Sequence, residues 1–68
     1  MHKFGENLKQ LRIQFKITQK GLAKELNVHV RSIGHWENEN KEAQYNTLIK
    51  IADYFDVSLD ELLGRKDY

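Results

Sequence analysis

Residues 30–38 carry the side chains best suited to chemistry in this 68-residue chain. Ile33 and Trp36 have the spacing of an apolar helix face, because one helical turn holds 3.6 residues. The opposite face of that helix presents Val30, Arg31, Gly34, His35 and Asn38. Arg can donate two hydrogen bonds to guanine O6 and N7, His can donate or accept, and Val can contact a thymine methyl group. This set of residues is suited to reading the edges of base pairs.

Gly34 lies in the middle of this face, where a glycine lowers helix propensity by about 1 kcal/mol relative to Ala. Two explanations are open. A close approach of DNA to the helix would require a position without a side chain. Alternatively, the glycine relieves crowding between packed helices.

The elements that must position these residues are two short helices within residues 19–38. The first begins after Thr18, an N-cap residue, and ends at Asn27, which tolerates a left-handed backbone. It buries Leu22, Ala23 and Leu26. The second spans residues 30–38. Two short helices joined by a tight turn are typical of a helix-turn-helix, which lays its second helix in the DNA major groove.

Three further helices are predicted from apolar periodicity and end signals. Helix one, residues 5–15, has an apolar stripe at Phe4, Leu8, Leu11 and Phe15. Helix four, residues 44–55, has one face made of Tyr45, Leu48, Ile51, Ala52 and Phe55. Helix five starts with a capping box of Ser58 and Glu61, buries Leu59, Leu62 and Leu63, and stops at Gly64. Because no segment alternates with period two, the sequence predicts an all-α fold.

The chain resembles the Cro/repressor-like (XRE) family of bacterial and phage regulators from Phe4 to Gly64. The resemblance implies a compact five-helix, lambda-repressor-like DNA-binding domain over residues 1–68, with the helix-turn-helix at about 19–38. It also implies a base-reading role for Val30 and Arg31, and a base or phosphate contact for His35. Residues implied to contact the DNA backbone are Gln19, Lys20, Ser32, Asn38 and Lys41. Arg12 and Glu37 match a structural ion pair of the family.

Several positions depart from the family pattern. The Ser or Thr that usually caps the recognition helix is His29, for which we expect a poorer cap, and the glycine often found in the turn is Asn27. A Pro-Ser pair that often opens helix four is replaced by Ala43 and Gln44, which makes the start of that helix less defined.

Charge is distributed unevenly although the net charge is only +1. Residues 1–34 hold seven Lys and Arg against two Asp and Glu, whereas residues 35–68 hold four against eight. The basic half contains most of the helix-turn-helix, which favours a polyanion partner on that face. Any chain that is 31 % charged can show some imbalance, and that explanation stays open.

Other functional classes lack a signal. The chain has no cysteine, its His29 and His35 are six residues apart, and its serines lie in no nucleophile motif, so we expect no metal, no cofactor and no enzyme. No apolar run approaches the roughly 20 residues of a membrane span, and the N-terminus lacks a signal-peptide core. We therefore expect a cytoplasmic protein with no membrane partner.

The sequence predicts a transcriptional regulator that binds a short palindromic operator as a homodimer and acts as a repressor. In so small a core we expect no small-molecule ligand. One alternative is a protein-interaction module, such as an antitoxin or anti-repressor partner, built on the same fold. Another is the DNA-binding half of a longer regulator. Ile13, Phe15 and Tyr54 are candidates for a partner or dimer surface, or scattered surface apolar residues.

Overall fold

The computed structural model describes residues 3–39 and 41–65, and these residues form five helices and no strand. The helices are α1 (Phe4–Gln14), α2 (Gln19–Leu26), α3 (Val30–Glu39), α4 (Tyr45–Phe55) and α5 (Leu59–Leu63). The all-α prediction is therefore confirmed. The predicted ends of the helices differ from the observed ends by a single residue, since α1 begins at Phe4 and Gln44 is the N-cap of α4.

Every helix contributes to one apolar core. The fully buried side chains include Leu8 of α1, Leu22 of α2, Ile33 of α3, Ile51 of α4 and Leu62 of α5. Helices α1 and α2 both pack against α3, while α5 packs against α1 and α4. The recognition helix is thus held from two sides, which leaves its remaining face at the surface.

Two aromatic residues lie outside the core that the sequence predicts. Tyr45 is 67 % exposed, although its spacing continues the apolar face of helix four. It is the first residue of α4 and lies beyond the edge of the core, which begins one turn later at Leu48. Phe15 follows the end of α1 and is 47 % exposed, but its ring packs edge-on against Phe55, with centroids 4.9 Å apart. It covers the core edge only partly.

Four helices end in the same way, with one residue in the left-handed conformation. These residues are Lys16, Asn27, Asp56 and Gly64, with φ between 56° and 71°. In each case the next backbone N–H donates to a carbonyl five residues earlier, as Val28 does to Ala23 at 3.0 Å. This Schellman-type closure satisfies carbonyls that a helix end leaves free. It reverses the chain within few residues and allows short turns between helices.

The helix starts follow the caps that the sequence predicts. The Thr18 hydroxyl accepts a hydrogen bond from the backbone N–H of Gly21 at 2.9 Å. Ser58 and Glu61 form the predicted capping box, with both bonds at 3.0 Å. Caps of this kind contribute about 1 kcal/mol each, and here they fix the starts of α2 and α5.

Candidate nucleic-acid interface

The two faces of α3 differ in exposure. Ile33 and Trp36 are buried, whereas Val30, Arg31, His35 and Asn38 are exposed. This division follows the 3.6-residue period expected from the sequence. Within residues 3–39 and 41–65, the side chains of Arg31, His35 and Asn38 have no hydrogen-bond or ion-pair partner. Their donors and acceptors face solvent and are available to a ligand.

A shallow concavity lies beside α3, between this helix and the segment that follows it. It brings together four residues for which the sequence predicts DNA contacts: Arg31, Ser32, His35 and Lys41. His29, Trp36 and Glu42 also line the concavity. The backbone N–H of Lys41 donates to the carbonyl of His35 at 3.3 Å, which ties the start of this segment to α3.

Gln19 and Lys20 lie in the first turn of α2. Lys20 is exposed, and its ammonium is free to reach a phosphate. Gln19 is half-buried, and its side-chain amide donates to Glu37 Oε1 at 3.0 Å. The N–H groups at the start of α2 and the Lys20 ammonium both favour an anion there.

Behind the exposed face, a polar network fixes the position of α3. Arg12 Nε lies 2.8 Å from Glu37 Oε2, and Arg12 Nη2 lies 3.1 Å from Glu37 Oε1. The Glu37 side chain has no exposed surface, and Arg12 is 14 % exposed. Arg12 Nη1 also donates to the carbonyl of Ile17 at 3.0 Å. One bidentate pair thus joins α1, the turn after it and the end of α3.

Arg12 donates hydrogen bonds to Glu37, and these raise the pKa of the Arg12 guanidinium above its ordinary value, while burial opposes the rise only partly. A raised pKa in the folded state stabilises the fold at every pH below the unfolded value, and this contribution is lost only at extreme alkalinity. Arg12 therefore stays cationic throughout the physiological range, and its pair with Glu37 does not act as a pH switch through the arginine.

The bond between Gln19 and Glu37 was not predicted from the sequence. The resemblance implies a phosphate contact for Gln19, but says nothing about its bond to Glu37. The signal lay in the predicted topology, because the start of α2 and the end of α3 meet in a helix-turn-helix, and Glu37 has two carboxylate oxygens to satisfy. The bond couples α2 to the same carboxylate that Arg12 holds.

His29 caps the start of α3 in a way that the family pattern does not predict. Its Nδ1 atom accepts a hydrogen bond from the backbone N–H of Arg31 at 3.2 Å. A ring nitrogen with a free lone pair can replace the hydroxyl of Ser or Thr in this role. The first turn of α3, which carries Val30 and Arg31, is therefore closed by a side chain despite the unusual cap residue.

Packing within the described part of the protein does not require a glycine at position 34. A Cβ atom built on it would meet one neighbouring atom within 4 Å, Asn38 Nδ2 at 3.9 Å. Crowding between helices, one of the two explanations that the sequence left open, therefore does not account for this glycine. Gly21 of α2 differs, because a Cβ atom there would lie 3.1 Å from Ile17 Cγ1.

Other kinds of site are not evident in the described residues. Residues 3–39 and 41–65 contain no group of three or more His, Asp or Glu side chains placed to hold a metal ion. Across the same residues, no helix combines the length and apolar character needed to cross a bilayer. The exposed face of α3 and the concavity beside it bring together Arg31, Ser32, His35 and Lys41.

Comparison with known proteins gives a consistent match. The family model described as "Helix-turn-helix" matches residues 8–62. The uncharacterized HTH-type transcriptional regulator YqaE of Bacillus subtilis is 43 % identical over 60 residues, which are 88 % of this chain and 52 % of that protein. The HTH-type transcriptional regulator ImmR of the same organism is 32 % identical over 63 residues, covering 93 % of this chain and 50 % of that protein.

A further relative and a solved structure extend this match. The HTH-type transcriptional activator BcrR of Enterococcus faecalis is 36 % identical over 64 residues, which are 94 % of this chain and 31 % of that protein. A crystal structure of a transcriptional regulator from Listeria innocua superimposes with a TM-score of 0.88 at 31 % identity, covering 100 % of this chain and 64 % of that one. The chain spans about half the length of the first curated relatives that it matches.

Proposed function

The chain belongs to the XRE-type helix-turn-helix family of transcriptional regulators, and from that premise we propose that α3 reads a specific operator in the DNA major groove. One observation carries this proposal most: α3 exposes Val30, Arg31, His35 and Asn38 on one face while its other face is fixed in the core. A rigidly held helix with uncommitted polar side chains is what direct base readout requires.

The proposed division of labour follows the chemistry of each side chain. Arg31 discriminates a base pair by donating two hydrogen bonds to guanine, with His35 and Val30 as further base contacts. Phosphate contacts set the position of the protein on the duplex but carry no sequence information. Those contacts are assigned to Lys20, Ser32, Asn38, Lys41 and the start of α2 at Gln19.

The bond between Gln19 and Glu37 supports a phosphate contact rather than opposing it. The amide nitrogen of Gln19 is held by Glu37 Oε1, so the orientation of the side chain is fixed. The backbone N–H groups at the start of α2 then lie at a defined position relative to α3. A phosphate bound there is placed in register with the bases that α3 reads.

We further propose that two copies of the chain bind a palindromic operator, with recognition helices entering major grooves about 34–36 Å apart. The proposed outcome is repression. Occupancy of an operator is enough to exclude polymerase, whereas activation needs an additional contact with polymerase. The relative BcrR is named an activator, so the direction of regulation is a separate measurement from DNA binding.

Selection of bound sequences from a random duplex pool, at near-physiological salt, tests the proposal. The expected result is an enriched palindrome with half-sites one helical turn apart, which gives the operator directly. Absence of enrichment, together with weak binding that disappears as salt rises, would contradict sequence-specific binding. Tight salt-insensitive binding to a protein from the same cell would then favour an interaction module.

A measurement of transcription separates repression from activation. A reporter gene placed downstream of the selected operator is expected to lose expression when the protein is present. An increase in expression would overturn repression while leaving the binding proposal intact. The matched control is a reporter with a scrambled operator, which the protein should leave unchanged.

A further inference from the structure

A gap interrupts the exposed face of α3 at Gly34. Helical side chains lean toward the N-terminus, so a side chain at position 34 would lie over the preceding turn, where Val30 is placed four residues earlier. With only a hydrogen atom at position 34, the surface above Val30 stays open. The Val30 side chain is 40 % exposed and is apolar.

The protein's own packing does not need this gap. Gly34 is the fifth of ten residues in α3, and glycine is among the least favourable residues in a helix interior. Apart from the helix's own backbone, a Cβ atom at this position would meet one atom of the described residues within 4 Å, Asn38 Nδ2 at 3.9 Å, which is ordinary contact. An alanine would therefore fit the free protein, and packing does not require the glycine.

The borders of the gap define what fits it. Val30 forms an apolar floor, and the amide of Asn38 lies on the other side, near where the Cβ atom would be. Thymine presents a C5 methyl group beside the O4 acceptor at the major-groove edge, whereas cytosine presents a C4 amino donor and no methyl. The 5-methyl group of thymine therefore matches the apolar border at Val30.

We propose that Val30 and Gly34 form a notch that receives the 5-methyl group of one thymine in each half of the operator. This inference rests on the proposed function and specifies one of the base pairs that α3 reads. The notch lets the helix backbone approach the methyl group closely. Thymine at this operator position is favoured over cytosine and over uracil.

Uracil scanning of the selected operator tests the notch, because uracil lacks only the methyl group of thymine. Each thymine is replaced singly by uracil, and the dissociation constant is measured by fluorescence anisotropy. One position per half-site is expected to weaken binding about fourfold, the equivalent of the ~0.8 kcal/mol that burying one methyl-sized group contributes. Uracil at the remaining positions serves as the internal control.

Two variants locate the effect on the protein. Gly34→Ala fills the notch, so we expect the preference for thymine over uracil at that position to disappear, with equal dissociation constants for the two bases. The alanine also favours the helix and should raise the melting temperature by about 4–8 °C. Val30→Thr keeps the shape of the side chain but replaces one methyl group with a hydroxyl, and should reduce the same preference. Measured melting temperatures serve as the control that both variants fold.

The outcomes separate this inference from the proposed function. If the protein selects an operator but no uracil replacement weakens binding, or no thymine lies in the half-sites, the notch is wrong and sequence-specific binding stands. If Gly34→Ala retains the full thymine preference, the methyl group lies elsewhere and the notch is also wrong. If no operator is enriched at all, both the proposed function and the notch are overturned.

Discussion

The two faces of α3 differ in burial and in hydrogen bonding. On the inner face, Ile33 has no exposed surface, Trp36 has 8 %, and the Glu37 side chain is fully enclosed with each oxygen hydrogen-bonded. On the outer face, Arg31, His35 and Asn38 are exposed and their side chains are not committed to other groups of the described chain. One helix thus separates the work of holding the fold from that of contacting a ligand.

This separation means that substitutions on the two faces should change different quantities. A change on the inner face should lower the free energy of unfolding. It should weaken DNA binding only by reducing the fraction of folded protein. A change on the outer face should alter DNA binding while leaving the free energy of unfolding within about 0.5 kcal/mol. Substitutions on each face test whether the two sets of effects stay apart.

The largest effect is expected from Glu37→Ala on the inner face. It leaves the Arg12 cation partly buried without its carboxylate and removes the acceptor of Gln19. Breaking a buried pair by removing one partner costs about 3–5 kcal/mol, which urea denaturation followed by circular dichroism would measure. The matched control Glu39→Ala changes an exposed acid at the end of the same helix and should cost less than about 0.5 kcal/mol.

A double variant shows whether the fold needs the charges of Arg12 and Glu37 or only side chains that fill their space. Arg12→Met combined with Glu37→Leu removes both charges and should be more stable than Glu37→Ala alone, because no unpaired ion remains. If the double variant were as unstable as the single one, the hydrogen bonds to Ile17 and Gln19 would outweigh the ion pair.

Arg31→Ala on the outer face is expected to cost about 1–3 kcal/mol of binding at one base pair and to relax the preference there. The free energy of unfolding should not change, because Arg31 is exposed. Competition assays with the selected operator and with single-base variants of it measure the preference. An equal loss on the operator and on random duplex would mean that Arg31 contacts phosphate and reads no base.

Lys16→Gly should increase stability by about 0.5–1 kcal/mol without affecting DNA binding. Lys16 has φ of 56°, a conformation that costs a lysine more than a glycine. Thermal unfolding would record the increase. As the matched control, Lys9→Gly lies within α1 at an exposed position and should lower stability by about 1 kcal/mol, since glycine there only weakens the helix.

The smallest effect is expected from Lys20→Ala at the start of α2. A lost phosphate contact weakens binding to every sequence alike and lowers the slope of log affinity against log salt by about one. Titrations of operator and of random duplex at several salt concentrations give the two slopes. An unchanged slope would remove Lys20 from the interface, and a loss confined to the operator would make it a base contact.

The helices were predictable because their signals are local. Thr18, Asn27, Ser58 and Gly64 are residues whose side chain or backbone freedom suits the helix end at which they lie, and the structure has them there. Asp56 is also of a type that tolerates the left-handed conformation, whereas Lys16 adopts it without such a signal. The conformation of Lys16 accompanies the closing hydrogen bond from Ile17 to Arg12, which is not visible in residue type.

The site was predictable to a smaller extent. The division of α3 into two faces follows from its period, but the bond between Gln19 and Glu37 and the cap from His29 depend on how separate elements meet. The open space at Gly34 is likewise a property of the packed structure. Tyr45 shows the converse, because it continues an apolar stripe by period and yet lies past the edge of the core.

A nuclear magnetic resonance titration of the ¹⁵N-labelled protein with the selected operator duplex tests directly whether α3 reads DNA. The largest chemical-shift changes are expected at Lys20, Arg31, Gly34 and His35, at the start of α2 and on the outer face of α3. Large changes centred instead on Ile13, Phe15 and Tyr54, exposed apolar residues in or next to α1 and in α4, would show that α3 does not read DNA.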